Sequence, residues 1–440
     1  MEVTLMEILE AREVRARRQK ELLERLGKTV ISFSMNIPGP VKDSGLIRRG
    51  FLEGCAALDA AFDSQKVLFR EIYPAHTGWE GLYALEMEPE AVKKITTAIE
   101  DDHGLGRLFD MDVIGPDNRK LDRELVGGGN RNCIVCGAPG RGCASRRIHS
   151  VESLQQAVQG ILTSYFGEED VRAIGKLAVR SLLDEVLTTP KPGLVDQRNR
   201  GSHKDMDLET FQRSAYALEG YFTACARIGM ETAREQPQET FCYLRQAGLE
   251  AEKAMYAATN GVNTHKGAIF TIGILCGALG RLWTGERTWD ETAIFQEVSA
   301  MTREAMEEDW AKGGNTAGFR FYGAMGIRGI RGQVADGLPA VSQIGLPQFR
   351  KYLEQGMDRN EAAVRTLLHL IAQVEDTNMI ARGGMEGAKI GAQWAEELLN
   401  REFTLADVEK LDERFIAENL SPGGCADLLA AVYFLDSVLQ

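Results

Sequence analysis

Residues 171–186 read VRAIGKLAVRSLLDEV. Ile174, Leu177, Ala178, Leu182 and Val186 recur at helical spacing and give this stretch one apolar face. From here to the end of the chain the periodicity predicts helices only, at 207–229, 245–259, 267–283, 291–309, 360–375 and 385–399. Loops rich in Gly, Asn, Asp and Thr join them. Moving outward towards the N-terminus, 152–166 is also helical, and FGEED (166–170) predicts a break at Gly167. Before residue 150 the pattern is mixed. A helix over 1–27 is stopped by Gly27, and TVISFSMNIPGPVK (29–42) holds a strand closed by a Pro-Gly-Pro turn. Val67–Tyr73, Gly81–Met87 and Leu108–Ile114 are strand-like, and Pro89 opens a helix to about Asp101. The reading is two domains, mixed α/β over 1–167 and all-α over 168–440.

The chain has 440 residues, 44% hydrophobic and 26% charged, and a net charge of −13. Residues 1–165 hold 22 basic against 24 acidic residues, and the remainder 29 against 40. An acidic second half disfavours nucleic acid, whose binding depends on phosphate neutralisation. The charged N-terminus, MEVTLMEILEAREVRARRQK, is not a signal peptide. The longest apolar run, GAIFTIGILCGALG (267–280), is shorter than the roughly 20 residues of a membrane span and predicts a buried helix. Eight cysteines without an export signal point to thiols or a metal site in the cytoplasm.

In the first half Asp110 and Asp112 stand two apart on a strand, so both carboxylates can face one Mg²⁺. That arrangement serves phosphoryl transfer; two solvated acids at a strand end are the plainer reading. RNCIVCGAPGRGCASRRIH (131–149) carries Cys133, Cys136, Cys143 and His149, a ligand set for tetrahedral Zn²⁺. Reduced thiols on an arm are the alternative. Arg131, Arg141, Arg146 and Arg147 lie in the same stretch, with no acid between Glu124 and Glu152. Such guanidinium groups suit phosphate oxygens.

SFSMNIPGPVK (32–42), HGLGRLFDMDV (103–113) and the CIVC…C…RRIH segment (133–149) resemble the citrate lyase holo-acyl-carrier-protein synthase family. The resemblance covers roughly 1–165. It implies a nucleotidyltransferase-like domain that moves phosphoribosyl-dephospho-CoA from a triphosphate donor to a serine of the acyl carrier protein (gamma) subunit of citrate lyase, releasing pyrophosphate. Asp110 and Asp112 would then be catalytic Mg²⁺ ligands, and Arg107, Arg131, Arg146 and Arg147 substrate contacts.

Five polar segments interrupt the helices of the second half: EVLTTPKPGLVD (185–196), SHKDMD (202–207), NTHKG (263–267), DTN with RGG (376–378, 382–384), and SPGGCAD (421–427). Asp207, Asn263 or Thr264, and Ser421 are natural helix N-caps. Capping alone would explain any one segment. Five of them, rich in His, Lys and Asp, predict a shared polyphosphate pocket at helix N-termini.

EVLTTPKPGLVD, GSHKDMD (201–207) and GVNTHKGAIF (261–270) resemble triphosphoribosyl-dephospho-CoA synthase, over about 170–440. Where that family would have a Gly-Ala-Arg-Gly-Glu-like string, Gly329-Ile330-Arg331-Gly332-Gln333 stands here; Gln333 is given no catalytic role. The resemblance implies that a ribose hydroxyl of 3'-dephospho-CoA attacks C1 of the ATP ribose and expels adenine, through an oxocarbenium-like transition state. Such a step needs a carboxylate base, a donor to adenine and cations for the triphosphate. Glu185, Asp196, Asp205 and Asp207 are the candidate acids. Lys191, His203, Lys204, Asn263, His265, Lys266 and Arg382 are the candidate substrate contacts. Alternatives are the malonate decarboxylase counterpart, a zinc-binding module fused to a helical nucleotide-processing enzyme, and a helical nucleotide hydrolase.

Overall fold

The computed structural model describes all residues except 1, 139–142, 144, 145, 147, 314–321 and 324. The described residues form two compact units, Met1–Gly167 with Thr284–Glu286, and Glu168–Trp283 with Arg287–Gln440.

In the first unit α1 (Leu5–Leu26) starts at a capping box between Thr4 and Glu7 and ends at Gly27, whose φ of 59° suits glycine. β1 (Thr29–Met35), α2 (Gly45–Ala61), β2 (Val67–Tyr73), β3 (Glu80–Leu85), α3 (Pro89–Asp102) and β4 (Phe109–Ile114) follow. The four strands form an antiparallel sheet in the order β2-β3-β1-β4. Register places Glu80, Ser34 and Asp110 in one cross-strand row and Leu82, Ser32 and Asp112 in the next. Alternation puts both rows on one face, where Leu22 and Leu23 of α1 pack on Val30, Leu82, Ala84 and Ile114. The opposite face buries Phe33, stacked on Phe51 of α2 at 4.8 Å and edge-on to Phe109 at 5.4 Å. The periodicity reading did not find α2. Its three glycines dilute the pattern, but Gly50 and Gly54 lie on its buried side with Leu46, Phe51, Cys55 and Leu58.

β4 is an edge strand, and side chains satisfy its free backbone groups. Glu100 Oε1 accepts from the Met111 amide at 2.9 Å, Lys93 Nζ donates to Met111 O at 3.1 Å, and Arg131 Nη1 donates to Phe109 O at 2.7 Å. This closes an edge that would otherwise template further strands.

Gly167 does not break the chain. One helix, α4, runs over Val151–Leu187. A mid-helix glycine costs only about 1 kcal/mol relative to alanine. The next turn is held by the buried Asp170, which accepts from Trp283 Nε1 at 2.8 Å and Arg287 Nε at 2.5 Å.

The second unit continues with α5 (Leu208–Ala217), α6 (Glu219–Glu231), α7 (Pro237–Ala258), α8 (Lys266–Arg281), α9 (Glu291–Lys312), α10 (Gly329–Ala335), α11 (Leu346–Glu354), α12 (Arg359–Gln373), α13 (Thr377–Leu399), α14 (Leu405–Ala417) and α15 (Gly423–Val438). Among the described residues it holds helices and no strand. α8 and α15 are apolar almost all round and buried along their lengths. No described helix is long and apolar enough to cross a membrane.

Candidate functional site

All five polar segments of the second unit line one cavity of about 430 Å³. Of the residues singled out from sequence, Glu185, Lys191, His203, Asp205, Asn263, His265, Lys266 and Arg382 are in its wall. A neighbouring cavity of about 560 Å³ shares Ile330, Thr377 and Gly424 with it. Another of about 460 Å³ shares Lys266. A larger cleft, about 790 Å³, touches none of the five segments and is bordered by Glu291, Glu304, Glu307 and Asp336. That acidic lining is wrong for a polyphosphate.

The buried centre of the site is an ion pair. Lys191 Nζ donates to Glu185 Oε1 at 2.5 Å and to Glu185 O at 2.7 Å, and both side chains are buried. Burial pushes the Glu185 carboxyl up, and Lys191 draws it back. Asp427, from the first turn of α15, lies against the start of α8. A Cβ at Gly267 would sit 1.9 Å from Asp427 Oδ2, so only glycine admits the carboxylate there. Burial, followed by the charges of Glu185 and Asp376, holds Asp427 well above the usual carboxylate range, while the Ala268 amide pulls the other way. Asp376 is buried and serves two helix starts at once. It accepts from the Asn378 and Met379 amides at 2.7 and 3.1 Å and from the Cys425 amide at 2.8 Å.

Burial lowers both histidines of the cavity wall, His203 and His265, below the usual imidazole range. Arg382 Nη2 donates to His203 Nδ1 at 3.0 Å, and arginine can only donate, so the His203 proton is on Nε2, 2.9 Å from Ser421 Oγ. Burial and Arg382 lower this ring to about 4. Burial, with Lys191 beyond, lowers His265 to about 3. Thr264 Oγ1 donates to Ser214 Oγ at 2.7 Å, and Ser214 Oγ lies 2.8 Å from His265 Nδ1. With Ser214 donating to Nδ1, the His265 proton is on Nε2, a buried atom with no partner among the described residues.

Three candidates lie outside the cavity wall. Asp196 is buried and organises its own loop, accepting from the Lys191, Arg198 and Asn199 amides. Asp207 caps α5 through the Thr210 amide at 3.1 Å and pairs with Arg200 at 2.9 Å. Lys204 is exposed. Ser421 is not a cap: α15 begins after Pro422, and Asp376 takes its Cys425 amide. At the start of α8 Asn263 Oδ1 accepts from the Lys266 amide at 3.3 Å. Gln333 Oε1 holds the Ala340 amide at 2.9 Å.

In the first unit Asp110 and Asp112 share a sheet face. Asp112 pairs with Lys120 at 2.6 Å. Asp110 is exposed and has no hydrogen-bond or ion-pair partner among the described residues. Its desolvation by the surrounding chain, then the Asp112 charge, raise its carboxyl. Arg131 is occupied by Phe109 O and by Glu100 Oε2 at 2.5 Å, and Arg107 by Asn132 O. Arg146 is exposed, and Arg147 and Arg141 lie outside the described residues. Cys133, Cys136, Cys143 and His149 come together with all ligand atoms within 4.8 Å of one another. The Cys136–Cys143 sulfurs are 3.5 Å apart, and His149 Nε2 is 3.3 Å from Cys136 Sγ. Metal–ligand bonds of about 2.0–2.3 Å in a tetrahedron give ligand separations of roughly 3.3–3.8 Å. The set therefore fits a metal ion.

One unit with a polar, nucleotide-sized cavity between helices, and another with an acidic pair on a sheet face, define a transferase with two centres. The comparisons agree. Residues 3–165 match the family model for CitX, apo-citrate lyase phosphoribosyl-dephospho-CoA transferase, and 171–440 match CitG, ATP:dephospho-CoA triphosphoribosyl transferase. "Protein CitXG" of Haemophilus influenzae is 34% identical over 98% of this chain and 96% of its own length. That of Leuconostoc mesenteroides subsp. cremoris is 32% identical over 98% and 97%. A probable 2-(5''-triphosphoribosyl)-3'-dephosphocoenzyme-A synthase of Vibrio cholerae is 40% identical over 61% of this chain and 89% of its own. The chain belongs to the CitXG family, in which a CitX and a CitG domain follow one another. It is an enzyme that makes the citrate lyase prosthetic group and attaches it.

Proposed function

We propose that the helical unit joins ATP to 3'-dephospho-CoA in the cavity around Glu185, Lys191 and Asp427. The product is 2'-(5''-triphosphoribosyl)-3'-dephospho-CoA, with adenine released. The first unit then transfers phosphoribosyl-dephospho-CoA to a serine of the acyl carrier protein (gamma) subunit of citrate lyase, with loss of pyrophosphate. The carrying observation is that five segments scattered over the second half line a single cavity. Its neighbours supply room for the rest of two large substrates.

In the first reaction the ribose oxygen of dephospho-CoA bonds to C1 of the ATP ribose. The C1–N9 bond breaks with its electrons on adenine. Asp427 takes the hydroxyl proton, which ends on adenine through solvent. His265 Nε2–H is placed to donate to adenine, and Lys191, Lys266 and Arg382 offset triphosphate charge. Glu185 pairs with Lys191 and fixes its position. His203 and Asp205 shape the phosphate end of the wall. Both reactions use cytoplasmic metabolites, in keeping with a cytoplasmic enzyme.

In the second reaction the carrier serine oxygen attacks the phosphorus next to the ribose, and pyrophosphate leaves. Asp110 and Asp112 would hold Mg²⁺, which when bound neutralises polyphosphate charge. The Cys₃His cluster is read as a structural Zn²⁺ site that folds the arm carrying Arg146. Metal analysis of the purified chain should find close to one equivalent of zinc, lost in Cys136→Ser. A metal-free wild-type protein would reject the site.

The experiment that tests the assignment is division of labour. A fragment from residue 149 onward, keeping α4 whole, should release adenine from ATP only when dephospho-CoA is added. Adenine release without dephospho-CoA would instead favour a hydrolase.

A further inference from the structure

The segment SFSMNIPGPVK (32–42) carries a family resemblance, yet neither reaction above gives it a task. Its two ends meet in the fold. Ser34 and Lys42 line one narrow cleft, together with Arg15 of α1 and the ring of Trp79. The cleft measures about 40 Å³. That is room for roughly three waters, the size of one phosphoryl group and far less than a nucleoside.

Its chemistry is cationic. Lys42 is half-buried, and among the described residues its ammonium has a single hydrogen-bond partner, the Ile37 carbonyl oxygen. Arg15 donates through Nε to Glu80 at 2.9 Å and reaches Ser34 Oγ through Nη1 at 3.4 Å. Arg18 shares the same buried Glu80 at 3.4 Å. Two guanidinium groups thus share one buried acid, and the Lys42 ammonium lines the same cleft as Arg15. Arg48, also at the cleft, is already spent on Asp43 at 2.7 and 2.8 Å. The position is equally specific. Ser34 is the cross-strand partner of Asp110, so the cleft adjoins the acidic pair on the same sheet face. Two of the arginines expected to hold phosphate from sequence are engaged elsewhere, Arg131 on the β4 edge and Arg107 on Asn132.

We infer that this cleft, with Lys42 and Arg15, is the subsite for the terminal phosphoryl group of the triphosphate donor, and so for one end of the departing pyrophosphate. When the carrier serine oxygen bonds to the inner phosphorus, the bridging P–O bond breaks with its electrons on pyrophosphate. The serine proton goes to solvent, and Lys42 and Arg15 hold one end of the pyrophosphate that takes the new charge. Charge-assisted contacts from a fixed ammonium and guanidinium are suited to that role.

The inference rests on the assignment of transfer to the first unit, and the test separates the two. In the full chain with Mg²⁺, inorganic pyrophosphate is titrated as a product inhibitor of carrier modification. Lys42→Met should raise its inhibition constant, and the KM for the triphosphoribosyl donor, by roughly 10–100-fold, the scale of a lost hydrogen bond to a charged group. Lys42→Arg should recover most of both, and adenine release should be unchanged. Pyrophosphate should also shield Lys42 of the wild-type chain from an amine-modifying reagent, a reading that needs no variant to fold. An unchanged inhibition constant in folded Lys42→Met, or no shielding, overturns the subsite. So does a rise that follows Arg146→Ala instead. If Asp110→Asn transfers normally, the parent assignment has failed, whatever Lys42 does.

Discussion

Asp427→Asn is expected to slow adenine release by roughly 10²–10⁴-fold, the range for a positioned general base, with carrier modification from preformed donor unaffected. Asn keeps the size of the group and an oxygen for the Ala268 amide. It also keeps the close approach that requires Gly267. What it removes is the ionisable oxygen. Asp427 is the sharper choice than Glu185, because removing Glu185 strands a buried Lys191 ammonium, a defect worth about 3–5 kcal/mol, and the fold would suffer with the activity. Two further readings follow from the raised carboxyl of Asp427. A base works in its deprotonated form, so adenine release should climb as pH rises through the raised value, and Asp427→Asn should lose that limb. The folded chain also binds this proton more tightly than the unfolded chain. The associated stability is fully present below the unfolded value and is lost as pH rises through the folded one. Above that folded value the ionised group weakens the fold, and there the Asn variant should melt no lower than wild type. A variant that melts early, or that keeps its rate within a few-fold, would falsify the base assignment.

Much of the architecture was legible because it rests on local signals. GAIFTIGILCGALG has no polar face, and the helix it predicts is the buried α8. Gly27 and Pro89 punctuate α1 and α3 as their backbone chemistry requires. The errors arise where a distant partner overrides a local preference. Gly167 reads as a stop, but Trp283 and Arg287 hold the next turn through Asp170. Gly50 and Gly54 look like breakers in α2, yet they are on its buried side.

The site divides in the same way. That five polar segments belong to one pocket could be read from their composition, because each brings charge to a loop between apolar helices. Which acids face the cavity could not. Asp196 and Asp207 have the right chemistry and spend it on their own loop and helix start. Asp427 gave no more signal than these, and stands out only when the fold sets it beside Glu185 and the first turn of α8. A carboxylate two residues after the cysteine of SPGGCAD, on the inward side of an apolar helix, was the available clue. Arg131 misleads for a related reason: a basic stretch with no acids reads as a phosphate patch, and nothing local shows that β4 has an open edge to be closed.

Asp110→Asn should abolish carrier modification and leave adenine release at the wild-type rate. The two acids of the pair are not equivalent. Asp112 is tied to Lys120 at 2.6 Å, whereas Asp110 is exposed beside the Arg15 and Lys42 cleft and has no partner of its own among the described residues. A carboxylate held above its ordinary range by desolvation, and then by a like-charged neighbour, is relieved when a divalent cation arrives. That makes Asp110 the acid whose charge the metal needs most. The change should be silent in the fold. The backbone of β4 is secured by Glu100, Lys93 and Arg131, none of which touches the Asp110 side chain. Removing one acid also relieves repulsion with Asp112, so the melting temperature should hold or rise slightly. The measurement is modification of the carrier by mass spectrometry, run with preformed donor so that the helical unit is bypassed, over a Mg²⁺ titration. Wild type should saturate, and Asp110→Asn should show no transfer at any magnesium concentration reached. Asp112→Asn should recover part of the rate at high magnesium, because Lys120 already neutralises that carboxylate. Equal loss in both variants would mean that Lys120 releases Asp112 on binding and that the metal takes both acids equally. Transfer by Asp110→Asn at the wild-type rate would remove the pair from the chemistry, leaving the sheet face to bind the donor through its cations alone.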